Sequence, residues 1–157
     1  FLSLVRNYFI KIKISKILFI DLGCGYSRTQ FFFSKSFDSY FIGYDYNDNI
    51  INYLKNKKIN RAKFYSSNLR KKSTVKSLIT NINKYKNRNL LVFFSDSFDL
   101  YLLNEILINI SKKCNFYCIL INIKKNNLLK IKYKTVFNKS FKMKNRNIKI
   151  IKIDVQR

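Results

Sequence analysis

The feature of this sequence that most constrains its fold is a regular alternation of short apolar runs with longer amphipathic ones. Runs rich in β-branched and aromatic residues, typical of strands, alternate five times with runs whose apolar residues recur at helical spacing. The predicted strands are residues 16–22, 39–45, 62–68, 89–96 and 115–123, and the predicted helices are residues 27–37, 47–58, 73–85, 100–113 and 125–134. Such alternation favours a parallel sheet covered by helices on both faces.

Two more extended runs close the chain, at residues 135–143 and 147–155, joined by the turn-like KNRN. Because no long helix separates them, we expect an antiparallel hairpin. The predicted fold is α/β, Rossmann-like and doubly wound, with a mostly parallel seven-stranded sheet that ends in this C-terminal antiparallel hairpin. We expect a single domain over residues 1–157, and a first residue other than Met leaves an N-terminal truncation open.

The charge of the chain points to a polyanionic partner. Lys and Arg number 32 against 8 acidic residues, which gives a formal net charge of +24. A field of this size attracts nucleic acid, and RNA is the first candidate partner. The excess of Lys, Asn, Ile, Phe and Tyr is also what A/T-rich codons produce, so mutational bias is an alternative source of the charge.

Composition also excludes several classes of site and location. With no histidine and three cysteines, the chain lacks Ser-His-Asp and Cys-His catalysis and the usual zinc patterns, so we expect free thiols and no metal. Its apolar runs are far shorter than the roughly 20 residues of a membrane helix, and no signal peptide is visible. We therefore expect a cytoplasmic protein, monomeric and not associated with a membrane.

Two of the three glycines, Gly23 and Gly25, lie one residue apart in DLGCG, directly after the first predicted strand. Glycine there lets the chain turn sharply and bring bare backbone against a ligand. A dinucleotide-binding loop would have another glycine where Arg28 stands, and no phosphate-binding Gly-Lys-Ser/Thr motif follows. The loop therefore predicts a slot for a nucleoside, while a plain strand-to-helix turn is the alternative. We expect the third glycine, Gly43, to belong to the same slot.

The residues that follow the predicted strands are the candidate site, because ligands of doubly wound sheets bind beyond the carboxyl ends of the strands. Asp21, Asp45 and Asp96, three of the eight acidic residues, each lie at such an end. An acid at the end of the second strand can accept hydrogen bonds from both hydroxyls of a ribose. The candidate cofactor-binding residues are Asp21, Gly23, Cys24, Gly25, Asp45, Tyr46, Ser67 and Asn68.

Four segments, ILFIDLGCGYSRT, FIGYDYNDNIINYLKNK, AKFYSSNL and SDSFDLYLLNEIL, resemble the successive motifs of class I S-adenosylmethionine-dependent methyltransferases over about residues 15–123. The resemblance implies S-adenosylmethionine as cofactor, with the loop 21–25 passing its methionine part and Asp45 binding its ribose. Ser67 and Asn68 would lie near the adenine, where the family often has Asp in place of Asn68. Asp96 matches the position that faces the substrate.

Within that family the spacing resembles the FtsJ-like ribosomal RNA 2'-O-methyltransferases, which implies rRNA processing by methylation of a ribose hydroxyl. Asp96 would be the catalytic residue, relaying or orienting the hydroxyl proton, although capping of the next helix is an equal alternative. Leu2 stands where the first of two expected lysines belongs, residues 120–122 stand where the second belongs, and Lys124 or Lys125 could replace it only in a shifted register.

The missing lysines keep a second function open. A catalytically degenerate member of the fold could act as a basic RNA-binding or ribosome-associated factor. A third possibility, a ribosomal protein whose turns match the motifs by chance, is disfavoured by the fivefold alternation of strands and helices. We expect Cys24 to be a small filler of its loop rather than a nucleophile.

Overall fold

The computed structural model describes residues 2–94, 100–121, 131–141 and 146–155. They form one seven-stranded sheet in the order β3-β2-β1-β4-β5-β7-β6. Its strands are β1 (Lys16–Leu22), β2 (Asp38–Asp45), β3 (Ala62–Ser66), β4 (Asn89–Phe94), β5 (Phe116–Ile121), β6 (Lys134–Phe141) and β7 (Arg146–Ile153). The first five strands pair in parallel, and β7 pairs antiparallel with both β5 and β6. The predicted fold class, including its C-terminal hairpin, is confirmed.

Helices cover both faces of this sheet. They are α1 (Leu2–Lys11), α2 (Arg28–Ser34), α3 (Asp48–Asn56), α4 (Lys72–Lys84) and α5 (Leu100–Ser111). Helices α1, α2 and α3 contribute to one apolar core, and α4 and α5 contribute to the other. No helix among the described residues is long and apolar enough to cross a membrane.

The side-chain alternation of β1 creates the two cores. Its side chains point to opposite faces in turn, so Ile17 and Phe19 join the core under α1–α3, whereas Leu18 and Ile20 join the core under α4 and α5. Phe19 lies at the centre of an aromatic cluster, with the rings of Phe33, Phe41 and Phe93 between 4.9 and 6.1 Å away, centroid to centroid. Because both faces of the strand are dry, β1 reads as a continuous apolar run.

Two sequence predictions differ from the structure, and one helix was not predicted. Helix α1 was not predicted, yet it buries Val5 and Phe9, four residues apart and therefore on one helix face. The third strand ends at Ser66, so Ser67 and Asn68 belong to the loop that follows. The helix predicted over residues 125–134 lies mostly outside the described residues; where it is described, residues 131–133 are not helical and Lys134 begins β6.

Candidate cofactor site at the carboxyl ends of the strands

Asp21 is a buried carboxylate near the end of β1, with 2% of its surface exposed. Its Oδ2 accepts a hydrogen bond from the Thr29 hydroxyl of α2 at 2.5 Å. Its Oδ1 is buried and has no hydrogen-bond partner among the described residues. Leaving a buried acceptor unpaired is costly, so a ligand that donates a hydrogen bond to this atom would be favoured.

Asp45 ends β2, the strand beside β1, and is 8% exposed. Its Oδ2 accepts from the backbone N–H of Gly25 at 2.9 Å, and its Oδ1 accepts from the backbone N–H of Asn47 at 3.0 Å. This carboxylate therefore ties the glycine loop to the end of β2. Each oxygen keeps one further acceptor direction, which a pair of neighbouring hydroxyls could use.

The glycine loop itself needs its glycines for two different reasons. Gly23 and Gly25 have φ angles of 84° and 48°, in the left-handed region that favours glycine. Gly43 instead makes room, because a Cβ there would come within 2.8 Å of both the Cys24 Sγ and a ring carbon of Phe64. All three glycines thus shape one loop, with Cys24 packed against the backbone of β2.

Burial and the neighbouring carboxylate control the titration of this site. Burial raises the pKa of Asp21 to about 7; the hydrogen bond from Thr29 lowers it, and the charge of Asp45 raises it. Burial and the charges of Asp21 and Asp45 also raise the pKa of the Cys24 thiol well above its usual range. A thiol held neutral at physiological pH is a poor nucleophile, which agrees with a packing role for Cys24.

The remaining predicted residues lie around this centre with less contact to it. Tyr46 follows Asp45 and is 83% exposed, so its ring is available to cover a ligand bound at the end of β2. The backbone N–H of Ser67 donates to the carbonyl of Asp45 at 2.8 Å. Asn68 is exposed, and its side-chain oxygen accepts from the backbone N–H of Arg70. The side chain of Asn68 therefore organises its own turn.

The predicted catalytic positions comprise three that lie outside the described residues and one, Leu2, that is described. Asp96, the predicted catalytic residue, lies outside the described residues, as do Lys124 and Lys125. Leu2, which stands where a lysine was expected, begins α1 and packs against the core shared by α1–α3. An apolar contact therefore occupies that position.

Sequence reasoning expected Asn47 or Asp48 to cap α3 but missed the contact of Asn47 with Asp45, and it missed Thr29 and Ser27. Thr29 holds Asp21. Asn47 caps α3 through its side chain while its backbone N–H holds Asp45. Ser27 has a φ of 58° and a buried hydroxyl with no partner among the described residues. Only Asn47 left a signal, because Asn before an apolar helical run is a common N-cap.

Solved structures with the same fold include methyltransferases that share little sequence with this chain. A proposed methyltransferase of Escherichia coli, yhhF, superposes with a TM-score of 0.70 at 12% identity, over 99% of this chain and 86% of that one. The magnesium protoporphyrin IX methyltransferase ChlM of Synechocystis PCC 6803, solved with bound SAM, gives a TM-score of 0.61 at 9% identity, over 96% and 77% of the two chains.

A TehB-like SAM-dependent methyltransferase of Corynebacterium glutamicum gives a TM-score of 0.59 at 13% identity, over 95% of this chain and 86% of that one. No protein-family model matches the chain, and no curated protein matches its sequence. At identities this low, the likeness establishes a shared fold, that of the class I methyltransferases.

Proposed function

We propose that this protein binds S-adenosylmethionine (SAM) at the ends of β1 and β2 and transfers its methyl group to RNA. The observation that carries the proposal is the unpaired, buried Oδ1 of Asp21 beside the Asp45 carboxylate and the glycine loop. SAM, when bound, supplies an electrophilic methyl group on a sulfonium. ChlM, which has the same fold, was solved with SAM bound.

The residues of the site fit the hydrogen-bonding groups of this cofactor. The methionine part of SAM carries an ammonium group, which can donate to Asp21 Oδ1, favour the ionised carboxylate and pair a buried acceptor. The ribose carries two neighbouring hydroxyls, which can donate to the acceptor directions that Asp45 leaves free. The exposed ring of Tyr46 offers a surface against the rest of the nucleoside.

RNA is the substrate class that we propose from charge, since a net charge of +24 favours a polyanion. Alignment of the accepting atom with the methyl group can itself supply several kcal/mol of rate enhancement, of the roughly 7–11 kcal/mol available to ideal geometries. Asp96 would orient the acceptor or take its proton. It follows Phe94, the last residue of β4, by two positions in sequence.

The finer proposal is methylation of a ribosomal RNA ribose at its 2'-oxygen, in line with the sequence resemblance to the FtsJ-like enzymes. A ribose hydroxyl has a high pKa, so this reaction needs groups that lower it or accept its proton. Asp96 supports the proposal, and Leu2 weakens it, because an apolar contact cannot replace an ammonium.

Leu2 is also the observation that favours the second candidate function. A protein that kept the fold and the basic surface but lacked the catalytic lysines would bind RNA without methylating it. Cofactor binding and methyl transfer are therefore measured separately.

The first test is calorimetric titration of the protein with SAM and with S-adenosylhomocysteine. We expect binding to the wild type, weakened about tenfold or more in Asp45→Ala and Asp45→Asn, because hydrogen bonds to a charged acceptor are lost. Asp154→Ala is the matched control. Asp154 is an exposed carboxylate just after β7. Because β7 runs antiparallel to β5, this residue lies near the amino ends of the parallel strands, opposite to the candidate site.

The second test is transfer of tritiated methyl groups to total RNA or to ribosomal subunits. Transfer that Asp96→Ala abolishes, with cofactor affinity kept, supports the enzyme. Cofactor binding without transfer to any RNA favours the degenerate binding protein. Absence of cofactor binding at millimolar SAM contradicts the proposal as a whole.

A further inference from the structure

We propose that a cavity between α2 and the loop that leads into β3 binds an unstacked base of single-stranded RNA, apart from the cofactor itself. The proposal rests on the proposed function only for its choice of RNA as partner. The cavity has a volume of about 420 Å³ and is lined by Gln30, Phe31, Ser34, Phe37, Ser39, Phe41, Ile59, Asn60 and Arg61. We call it the base cavity.

The walls of the base cavity suit a planar ring. Phe31 is 51% exposed, whereas Phe37 and Phe41, which also line the cavity, are buried. A volume of this size lies within the range of about 300–1,000 Å³ typical of small-ligand pockets. Every nucleobase has a face that stacks on aromatic rings, so such walls accept bases with little sequence preference.

A buried amide supplies the polar contact that a base needs. Gln30 is only 5% exposed, and its side-chain oxygen has no hydrogen-bond partner within the described part of the chain. Unpaired buried acceptors are rare in folded proteins and call for an explanation. A side-chain amide offers both an acceptor and donors, which match the edges of bases. Because this oxygen is itself buried, the Gln30 side chain must rotate toward the cavity before a ring N–H or an exocyclic amine of a base can satisfy it.

Positive charge is concentrated in the segment from the end of α3 to the start of β3, from which Arg61 lines this cavity. Lys57, Lys58, Arg61 and Lys63 lie within seven consecutive residues of the chain. Ile59 separates the base cavity from a second pocket of about 370 Å³, whose rim carries Lys55, Lys58 and Lys63. A base held in the first pocket would therefore place its phosphates beside lysines.

Asp38 does not cancel this charge, because two arginines share it. Its Oδ1 accepts from Arg61 at 2.5 Å and from Arg88 at 3.2 Å. The trio keeps a net positive charge, and the Arg61 side chain remains 58% exposed. Asp38 thus positions the Arg61 guanidinium while leaving donors free for a phosphate.

The base cavity extends from Gln30, next to the Thr29 that holds Asp21, toward the start of β2, away from the cofactor site. Ser39 lies near the start of β2 and Asp45 lies at its end, and six residues of strand span about 20 Å at about 3.3 Å per residue. A base bound here is consequently not the one that reacts. It would anchor a neighbouring stretch of the same RNA.

The test compares two short single-stranded RNAs of equal length, one with bases and one fully abasic, by fluorescence anisotropy. Phe31→Ala removes an exposed wall, and Ile10→Ala is its control, because Ile10 is 52% exposed and lies on α1. We expect Phe31→Ala to weaken binding of the base-containing RNA about fivefold or more. We expect no change for the abasic RNA, and no change for either RNA in Ile10→Ala.

A second comparison separates stacking from charge. Arg61→Ala should lower the dependence of log K on log salt by about 0.7, the value for one phosphate of a single strand, whereas Phe31→Ala should leave it unchanged. Lys152→Ala is the control, since Lys152 is a partly exposed cation that is likewise paired with a carboxylate. Gln30→Leu should weaken only the base-containing RNA, and thermal melting establishes that this variant is folded.

Equal effects of Phe31→Ala on the two RNAs, or no effect on either, would overturn the proposal, as would a wild type that binds both RNAs equally. SAM titration of Phe31→Ala distinguishes failure of the base-cavity proposal from failure of the proposed cofactor binding. Unchanged cofactor binding with lost base dependence supports the base cavity, and a wild type that binds base-containing RNA but no SAM contradicts only the cofactor proposal.

Discussion

Replacing Asp21 by Asn should make the folded protein more stable above pH 7 while removing a contact that SAM needs. The folded state raises the pKa of this carboxyl from 3.8 to about 7, chiefly through burial. Between these two pH values the folded protein keeps a proton that the unfolded chain has released. The free energy of unfolding of the wild type therefore falls as pH rises, by about 1.4 kcal/mol for each pH unit.

Over the whole interval this loss amounts to about 4 kcal/mol, a large part of the usual stability of a domain. This loss of stability is absent below the Asp21 pKa of the unfolded chain, grows up to the Asp21 pKa of the folded protein and stays constant at higher pH. Asn cannot ionise, so Asp21→Asn should lack this dependence. At pH 8 we expect a gain of up to about 4 kcal/mol, less about 1–3 kcal/mol for a buried amide group without a partner.

The composition of the chain makes the measurement unusually direct. It contains no histidine, the only side chain whose ordinary pKa lies between pH 5 and 8. The assay is urea unfolding followed by circular dichroism at pH 5, 6, 7 and 8, at constant ionic strength. Asp154→Asn is the control for net charge, because it removes the same charge from an exposed position.

Parallel pH profiles for the wild type and Asp21→Asn would refute the reasoning, because they would mean that Asp21 titrates alike in both states. The reasoning is supported if the free energy of unfolding falls with rising pH in the wild type and in Asp154→Asn but not in Asp21→Asn. SAM titration of the same samples should show at least about tenfold weaker binding to Asp21→Asn. Stability would then rise as function falls.

Three further predictions concern stability and are measured by the same unfolding assay. Gly43→Ala should lower the free energy of unfolding by about 1–3 kcal/mol, since its Cβ would overlap Cys24 and Phe64. Adding Cys24→Ala should recover part of this loss. Strictly additive effects of the two substitutions would contradict the close contact. Asn47→Ala should cost about 0.5–2 kcal/mol, because the side chain caps α3 by accepting from two backbone N–H groups; faster amide exchange confined to the first turn of α3 would locate the effect. The Asn81 amide donates to the Tyr44 hydroxyl at 2.9 Å in the core. Tyr44→Phe should lower the free energy of unfolding by about 1–3 kcal/mol, because it leaves that amide unpaired. A variant as stable as the wild type would show that this hydrogen bond contributes nothing.

The sheet could be predicted from sequence because its strands are buried on both faces. In β1 and β4 every residue after the first is buried, so each reads as an apolar run with ends near those observed. Helix α1 was harder, because its apolar residues run on into the alternating IKIKI of residues 10–14. That alternation is typical of a strand. The helix is favoured instead by the burial of Val5 and Phe9 against the sheet, which the local pattern does not indicate.

The candidate site was predictable only to the level of position. Asp21 and Asp45 had to lie close together, since the carboxyl ends of neighbouring parallel strands meet at one edge. The space that Gly43 leaves for Cys24 depends instead on pairing of Asp21 with Gly43 across β1 and β2. The bond from Thr29 depends on how α2 packs. Strand register and helix packing are tertiary properties that no local pattern encodes.

The position of β7 in the sheet has a consequence for how the protein is made. β7 follows both β5 and β6 in sequence, yet it lies between them in the sheet and pairs with both. On the ribosome, β5 must therefore wait with one edge unpaired until residue 153 has left the exit tunnel. An apolar strand with an open edge readily pairs with other chains. A nascent chain that stalls before β7 is therefore expected to aggregate more readily than a chain with the full sheet.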